Sequence, residues 1–175
     1  MKKLLIIIVA VFALAANAQE GGKDFYSAEF KWTIKVPAGF IKSIDDGESE
    51  PGEVIMAVDK DETSYMEATQ QPYDVNEEGD YGETQELVGI IMKENLESQF
   101  SESNEIIMTS AKEKISGHDF YRFDYTITDT SDDSVLYVHM FSAFISNKDF
   151  CMSISYVDKA DGAKMLKAWK DSTFK

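Results

Sequence analysis

One segment constrains this chain more than any other. Residues 135–145, Val-Leu-Tyr-Val-His-Met-Phe-Ser-Ala-Phe-Ile, are largely apolar at odd and even positions alike. Successive side chains of a strand point to opposite faces, so a strand greasy at both parities needs cover above and below. The segment therefore reads as a central strand between two layers. Asn147-Lys148 follows as a tight turn into a strand at 150–157. Upstream, residues 105–115 and 120–128 read as strands joined by a turn at Ser116-Gly117-His118-Asp119. In the second of them Tyr121, Phe123, Tyr125 and Ile127 share one face, and Arg122, Asp124 and Thr126 the other.

The front half carries fewer such signals. Phe30, Trp32, Ile34 and Val36 alternate with Lys31, Thr33 and Lys35, the pattern of a half-buried strand. Pro37 ends it, having no N–H for a ladder, and Phe40 and Ile41 are expected to return to the core. Residues 45–53 and 72–83 are acidic, hold Gly and Pro, and read as loops. Residues 54–58 and 64–70 form an expected hairpin. A helix is predicted over 84–100, capped by Thr84, with Leu87, Val88, Ile91, Met92, Leu96 and Phe100 on one side. A second is predicted over 159–172, with Ala163, Leu166 and Trp169 on one flank and Met165 beside them. The expected fold class is α+β: an antiparallel sheet of about six or seven strands with helices on both faces, an α/β/α sandwich.

The N-terminus bears on destination. Lys2 and Lys3 precede an apolar run, and Ala16-Asn17-Ala18 supplies small residues at a cleavage site. Residues 1–18 are expected to be a signal peptide, since the run is shorter than the about 20 residues of a membrane span. Residues 19–27 then form a flexible leader, and 28–175 a single domain of ordinary size. The chain has 17 basic and 32 acidic residues, a net charge of −15. Loss of Lys2 and Lys3 takes it to −17. Such a field repels nucleic acid and anionic lipid and favours cationic partners. Cys151 is the only cysteine, so no internal disulfide forms.

Three features are shared with a known group. The first strand runs into Val36-Pro37-Ala38-Gly39-Phe40. A mid-chain helix leads to a strand ending in Ile115-Ser116-Gly117, then to Phe120-Tyr121-Arg122-Phe123-Asp124-Tyr125. Two more strands and a Trp-bearing helix close the chain. In this order of elements, over residues 25–175, the chain resembles the PsbP-like superfamily. That group includes the extrinsic oxygen-evolving subunit of photosystem II, a Ran-binding nuclear import factor and small exported bacterial proteins. The resemblance implies a PsbP-like sandwich used as a binding or accessory scaffold. The group shares no catalytic residues, so it assigns none here.

The residues themselves offer little chemistry. There is no Gly-x-Ser-x-Gly elbow. The best nucleophile–base pair is Cys151 with His139. An even-numbered turn at 147–148 would set Phe144 opposite Cys151 and His139 opposite Tyr156. The two would then lie on opposite faces. Asp74, Asn76, Glu78 and Asp80 space their oxygens like the first half of an EF-hand loop, with Gly79 sixth. Gln85 stands where the bidentate Glu belongs, so a chance match is expected. Tyr73 and Tyr81 lie in the same acidic segment and are the candidate partner-binding residues. No catalytic residue, cofactor or metal is expected. The reading is an exported, non-catalytic binding or accessory module, monomeric, whose partner is a protein or a small ligand. The alternatives are an enzyme with a site built from scattered acids and tyrosines, or a weak calcium-binding surface protein.

Overall fold

The computed structural model describes residues 19–20, 24–43, 54–61, 63–100 and 103–175. The proposed signal peptide, Gly21-Gly22 and the whole of the first acidic loop, 45–53, lie outside the described residues.

Four long strands form an antiparallel meander: β7 (Asn104–Ile115), β8 (His118–Asp129), β9 (Val135–Ile145) and β10 (Lys148–Tyr156). Beyond β10 the sheet continues through β6 (Ser64–Pro72) and β5 (Val54–Asp61). Two short strands, β4 (Ile41–Ser43) and β1 (Gln19–Glu20), finish that edge. The segment greasy at both parities, β9, sits inside the sheet between β10 and β8. The turns that join this meander follow from backbone handedness. Ser116 and Gly117 both have positive φ, as do Ser146 and Asn147, the geometry whose twist matches paired strands. The second turn is thus Ser146-Asn147, one residue earlier than expected. Cys151 pairs with Ser142, and His139 with Ile154. The register moves by two residues, so parity is kept and Cys151 and His139 still face opposite ways.

A three-stranded sheet, absent from the sequence reading, packs beside the large one. It contains β2 (Asp24–Ser27), β3 (Trp32–Lys35) and the two-residue β11 (Thr173–Phe174). Residues 24–27, read as leader, are therefore a strand, and the strand around Trp32 belongs to this sheet. Phe30, Trp32, Ile34 and Val36 are all buried, as their alternation requires. Phe40 is buried while Ile41 is exposed, against the expectation that both reach the core.

One face of the large sheet is covered by this small sheet and by α3 (Lys159–Lys170). Trp32 meets Phe150 edge-on at 5.2 Å, and Trp169 meets Phe120 edge-on at 5.1 Å. Truncating either indole to alanine is worth about 3–5 kcal/mol. Asp158 caps α3 by accepting from the Ala160 and Asp161 amides. The buried Asp161 carboxylate takes Lys60 of β5 at 2.5 Å and Lys164 at 2.7 Å, tying the helix to the sheet. The buried positions of α3 are Asp161, Gly162, Met165 and Trp169; Ala163 is exposed.

The opposite face carries α2 (Tyr81–Gln99), which lies over β7 and β8. Met92 and Leu96 pack on Phe123, Tyr125 and Ile127. The inward line of α2 is Gln85, Gly89, Met92 and Leu96, so Leu87, expected inside, points out. Three helix glycines admit sheet aromatics at close range. A Cβ on Gly82 would fall 2.4 Å from the Tyr121 hydroxyl, on Gly89 2.4 Å from the Phe123 ring, and on Gly162 2.4 Å from the Tyr156 ring. The helices do not form the full double cover that was expected. On the α3 face a sheet shares the work, and on the α2 face Tyr65, Glu67, Thr69, Ser153 and Ser155 of β6 and β10 are polar and half-buried. No described helix is long and apolar enough to cross a membrane.

Candidate functional site

The acidic segment 72–83 is a corner built of helix, where a loop was expected. Asp74 caps α1 (Val75–Glu78), accepting from the Asn76 amide at 2.9 Å. Gly79, at φ 87°, breaks the turn. Asp80 then caps α2, accepting from the Gly82 and Glu83 amides. The helix thus starts three residues before Thr84 because Asp80 satisfies its free N–H groups. The same contacts engage the oxygens of the calcium-like spacing within the chain. Asp74 and Asp80 point at their own helix starts, Asn76 donates to Asp74, and Glu78 accepts from the Asp74 amide. No three His, Cys, Asp or Glu side chains converge on a metal position among the described residues.

Tyr73 and Tyr81 hold this corner to the sheet. The Tyr73 hydroxyl donates to the Gly79 carbonyl at 3.1 Å and lies 2.9 Å from the Thr84 hydroxyl. Its ring is buried, edge-on to Tyr81 at 5.0 Å and to Phe144 at 5.8 Å. The Tyr81 hydroxyl donates to Asp149 at 2.6 Å, and Gln71 donates to the other carboxylate oxygen at 3.1 Å. Burial pushes the Asp149 carboxyl above the usual range, and the hydrogen bonds from Tyr81 and Gln71 offset only part of that. Beside it, the buried Gln85 Oε1 has no hydrogen-bond partner. Tyr73 is thus buried and Tyr81 half-buried, each hydrogen-bonded within the chain.

A second constellation crosses the α3 face. His139 Nδ1 lies 2.5 Å from Asp124, and Nε2 lies 2.9 Å from the Tyr156 hydroxyl. Arg122 Nε donates to the same Asp124 oxygen at 2.8 Å, and its Nη1 to Glu113 at 3.1 Å. Glu113 also meets Lys170 of α3 at 2.8 Å. Burial favours the neutral Asp124, yet hydrogen bonds from His139 and Arg122 win and hold its carboxyl below the usual range. In outline this is an acid–base–hydroxyl series with Tyr156 at the nucleophile's place. Burial, then Tyr137 and Asp124, push the Tyr156 hydroxyl up. Both ring nitrogens of His139 are engaged, and the series acts as a clamp across four strands.

Cys151 lies on the other face, half-buried beside Ser142 and Thr69. Burial pushes its thiol up to about 12, which disfavours the thiolate at neutral pH. Sequence reasoning paired Cys151 with His139 only to reject the dyad. The expected register set His139 opposite Tyr156, but Asp124 and Arg122 were missed as its neighbours, because the β8–β9 pairing that brings Asp124 opposite His139 follows a long polar turn whose register the sequence does not fix.

The outward side of α2 differs from these closed clusters. Leu87 is 54% and Ile90 50% exposed, and they are neighbours at i, i+3. Glu83, Glu86 and Glu94 surround them, all exposed.

No protein-family model and no curated protein sequence matches the chain. Among solved structures, the solution structure of cyanobacterial PsbP (CyanoP) from Synechocystis sp. PCC 6803 superposes with a TM-score of 0.64 at 10% identity, over 94% of this chain and 99% of that one. A crystal structure from Bacteroides thetaiotaomicron gives 0.47 at 12% identity, over 89% and 49%. LpqN of Mycobacterium tuberculosis, involved in cell envelope biogenesis, gives 0.45 at 7% identity, over 86% and 88%. The chain has the PsbP fold. At such identity the likeness is one of fold alone.

Proposed function

Taking the PsbP fold as premise, we propose that this chain is an exported, non-catalytic accessory module, monomeric, that docks a protein partner through the outer face of α2. Export rests on the basic, apolar and small-residue pattern of residues 1–18. The non-catalytic reading is supported by the closure of the two ionisable clusters: His139, Asp124, Asp149 and Tyr156 each engage neighbours within the chain.

The observation that carries the docking reading is the pair Leu87 and Ile90, half-exposed and ringed by carboxylates on a helix whose other side is already packed. An apolar centre inside a charged rim is the anatomy of a protein contact. The rim is acidic on a chain of net charge −15, so the partner surface is basic. The corner below, pinned by Tyr73, Tyr81 and Asp149, presents this face rigidly, which lowers the ordering cost of binding.

The test compares the wild-type protein with a Leu87→Asp/Ile90→Asp variant as bait in an envelope extract. One partner should be retained by the wild type, released by salt and lost with the variant, while the thermal melts of the two baits agree. A partner held equally by both baits, or none recovered reproducibly, refutes the reading.

A further inference from the structure

A cleft of about 270 Å³ opens at the tips of the β2–β3 and β9–β10 hairpins. Its apolar part is Phe30 and Ile145, both buried, with Phe144 at the edge, 41% exposed. Its polar part is Lys31, His118 and Lys175, with Ser146 from the β9–β10 turn. Glu29 also lines it, but its carboxylate is ion-paired with Lys148. The His118 ring packs on Phe174 at 5.1 Å, which fixes its place at the rim.

Lysine pairing sets this cleft apart. Seven lysines hold a carboxylate, and two lie against tyrosine rings. Among lysines whose side chains are described, Lys31, Lys35 and Lys175 do neither. Two of those three line the same cleft. In a chain where acids outnumber bases 32 to 17, these two lysines give the cleft a cationic side with no carboxylate among the described residues paired to it. Lys31 is also held in the left-handed region at φ 49°, a conformation that costs a non-glycine residue energy. The Lys175 amide secures it, donating to the Lys31 carbonyl at 3.1 Å.

We propose that this cleft binds a small hydrophobic carboxylate, the anion between Lys31 and Lys175 and the apolar part on Phe30, Phe144 and Ile145. The volume falls just below the roughly 300 Å³ where ligand pockets begin, which suits an aryl or branched short-chain acid and is too small for a cofactor. Neither Leu87 nor Ile90 lines this cleft, so either proposal can fail without the other.

The experiment is a titration of ¹⁵N-labelled protein with 3-phenylpropionate, followed by amide shifts, with 3-phenylpropionamide as the uncharged control. Saturable shifts should cluster around Phe30, His118 and Ile145. The amide should bind at least about tenfold more weakly, the factor expected for a lost charge-assisted contact. Lys31→Met/Lys175→Met should weaken the acid as much, and Lys35→Met should change nothing. Shifts that do not saturate, that scatter over the surface, or that are the same for the amide overturn the proposal. The acid–amide comparison on the wild-type protein decides it even where the double variant folds poorly.

Discussion

Gly89→Ala isolates how α2 meets the sheet. In an exposed helix interior this change stabilises by about 1 kcal/mol. Here the new Cβ would sit 2.4 Å from Phe123 Cε1 and 2.6 Å from Cδ1, roughly 1 Å inside normal carbon contact. Phe123 is buried among Met92, Leu96, Tyr125 and Ile127, so its ring cannot swing clear. The helix would have to lift, stretching the 3.0 Å bond from the Tyr125 hydroxyl to the Gly89 carbonyl. Overpacking of this kind costs about 1–3 kcal/mol. The net expectation is a loss of about 0–2 kcal/mol, centred near 1. For a chain of this size that lowers Tm by about 2–4 °C per kcal/mol. Calorimetric melts of wild type and variant read it directly. In a Phe123→Leu background the clash is gone, and Gly89→Ala should then raise Tm. A higher Tm for Gly89→Ala in the wild-type background would refute the close-approach argument, and an unchanged sign in the Leu background would refute Phe123 as its cause.

Asp149→Asn should leave Tm at pH 7 unchanged or higher. The folded carboxyl is raised above its unfolded value, so the ionised form opposes folding, and stability is lost as pH rises through the folded pKa; an amide carries no such charge, and its Oδ1 can still accept from Tyr81. A drop of several degrees at pH 7 would contradict this. Asp124 has the opposite sign. Its depressed carboxyl stabilises above the unfolded value near 3.9 and loses that contribution as pH falls through the folded pKa. Urea unfolding between pH 2 and 6 should therefore show a shallower acid loss for Asp124→Asn than for wild type, and parallel curves would count against the clamp. Cys151, with its thiol pushed up to about 12, should stay silent to a disulfide reagent at pH 8 and react fully in denaturant; rapid native reaction would mean that its face is open.

The meander from β7 to β10 was legible because each strand carries its own periodicity and each turn its own handedness. Even the separation of Cys151 from His139 survived a two-residue error in register, since facing depends on parity alone. The small sheet was hidden: β11 is two residues long, and no local pattern marks so short a partner for β3. The α1–α2 corner was misread because acids in a Gly-bearing stretch look like loop until two of them, Asp74 and Asp80, are seen as caps. The inward face of α2 was misjudged because Gln85 and Gly89 do not look like core residues. Their burial is set by Asp149 and Phe123, which arrive from strands far along the chain. The His139 network is likewise a product of register, assembled from β7, β8, β9 and β10.

The large sheet divides the apolar interior into two unequal stores. The α3 side gathers most of the buried aromatic mass, whereas α2 rests on a smaller cluster centred on Met92, Leu96, Phe123, Tyr125 and Ile127. Local opening begins where least apolar area is lost. Helix α2 is thus the layer held by the smaller store, but Tyr73, Tyr81 and Asp149 tie down its first turn, so fraying should run inward from its C-terminal end and reach Leu87 and Ile90 last.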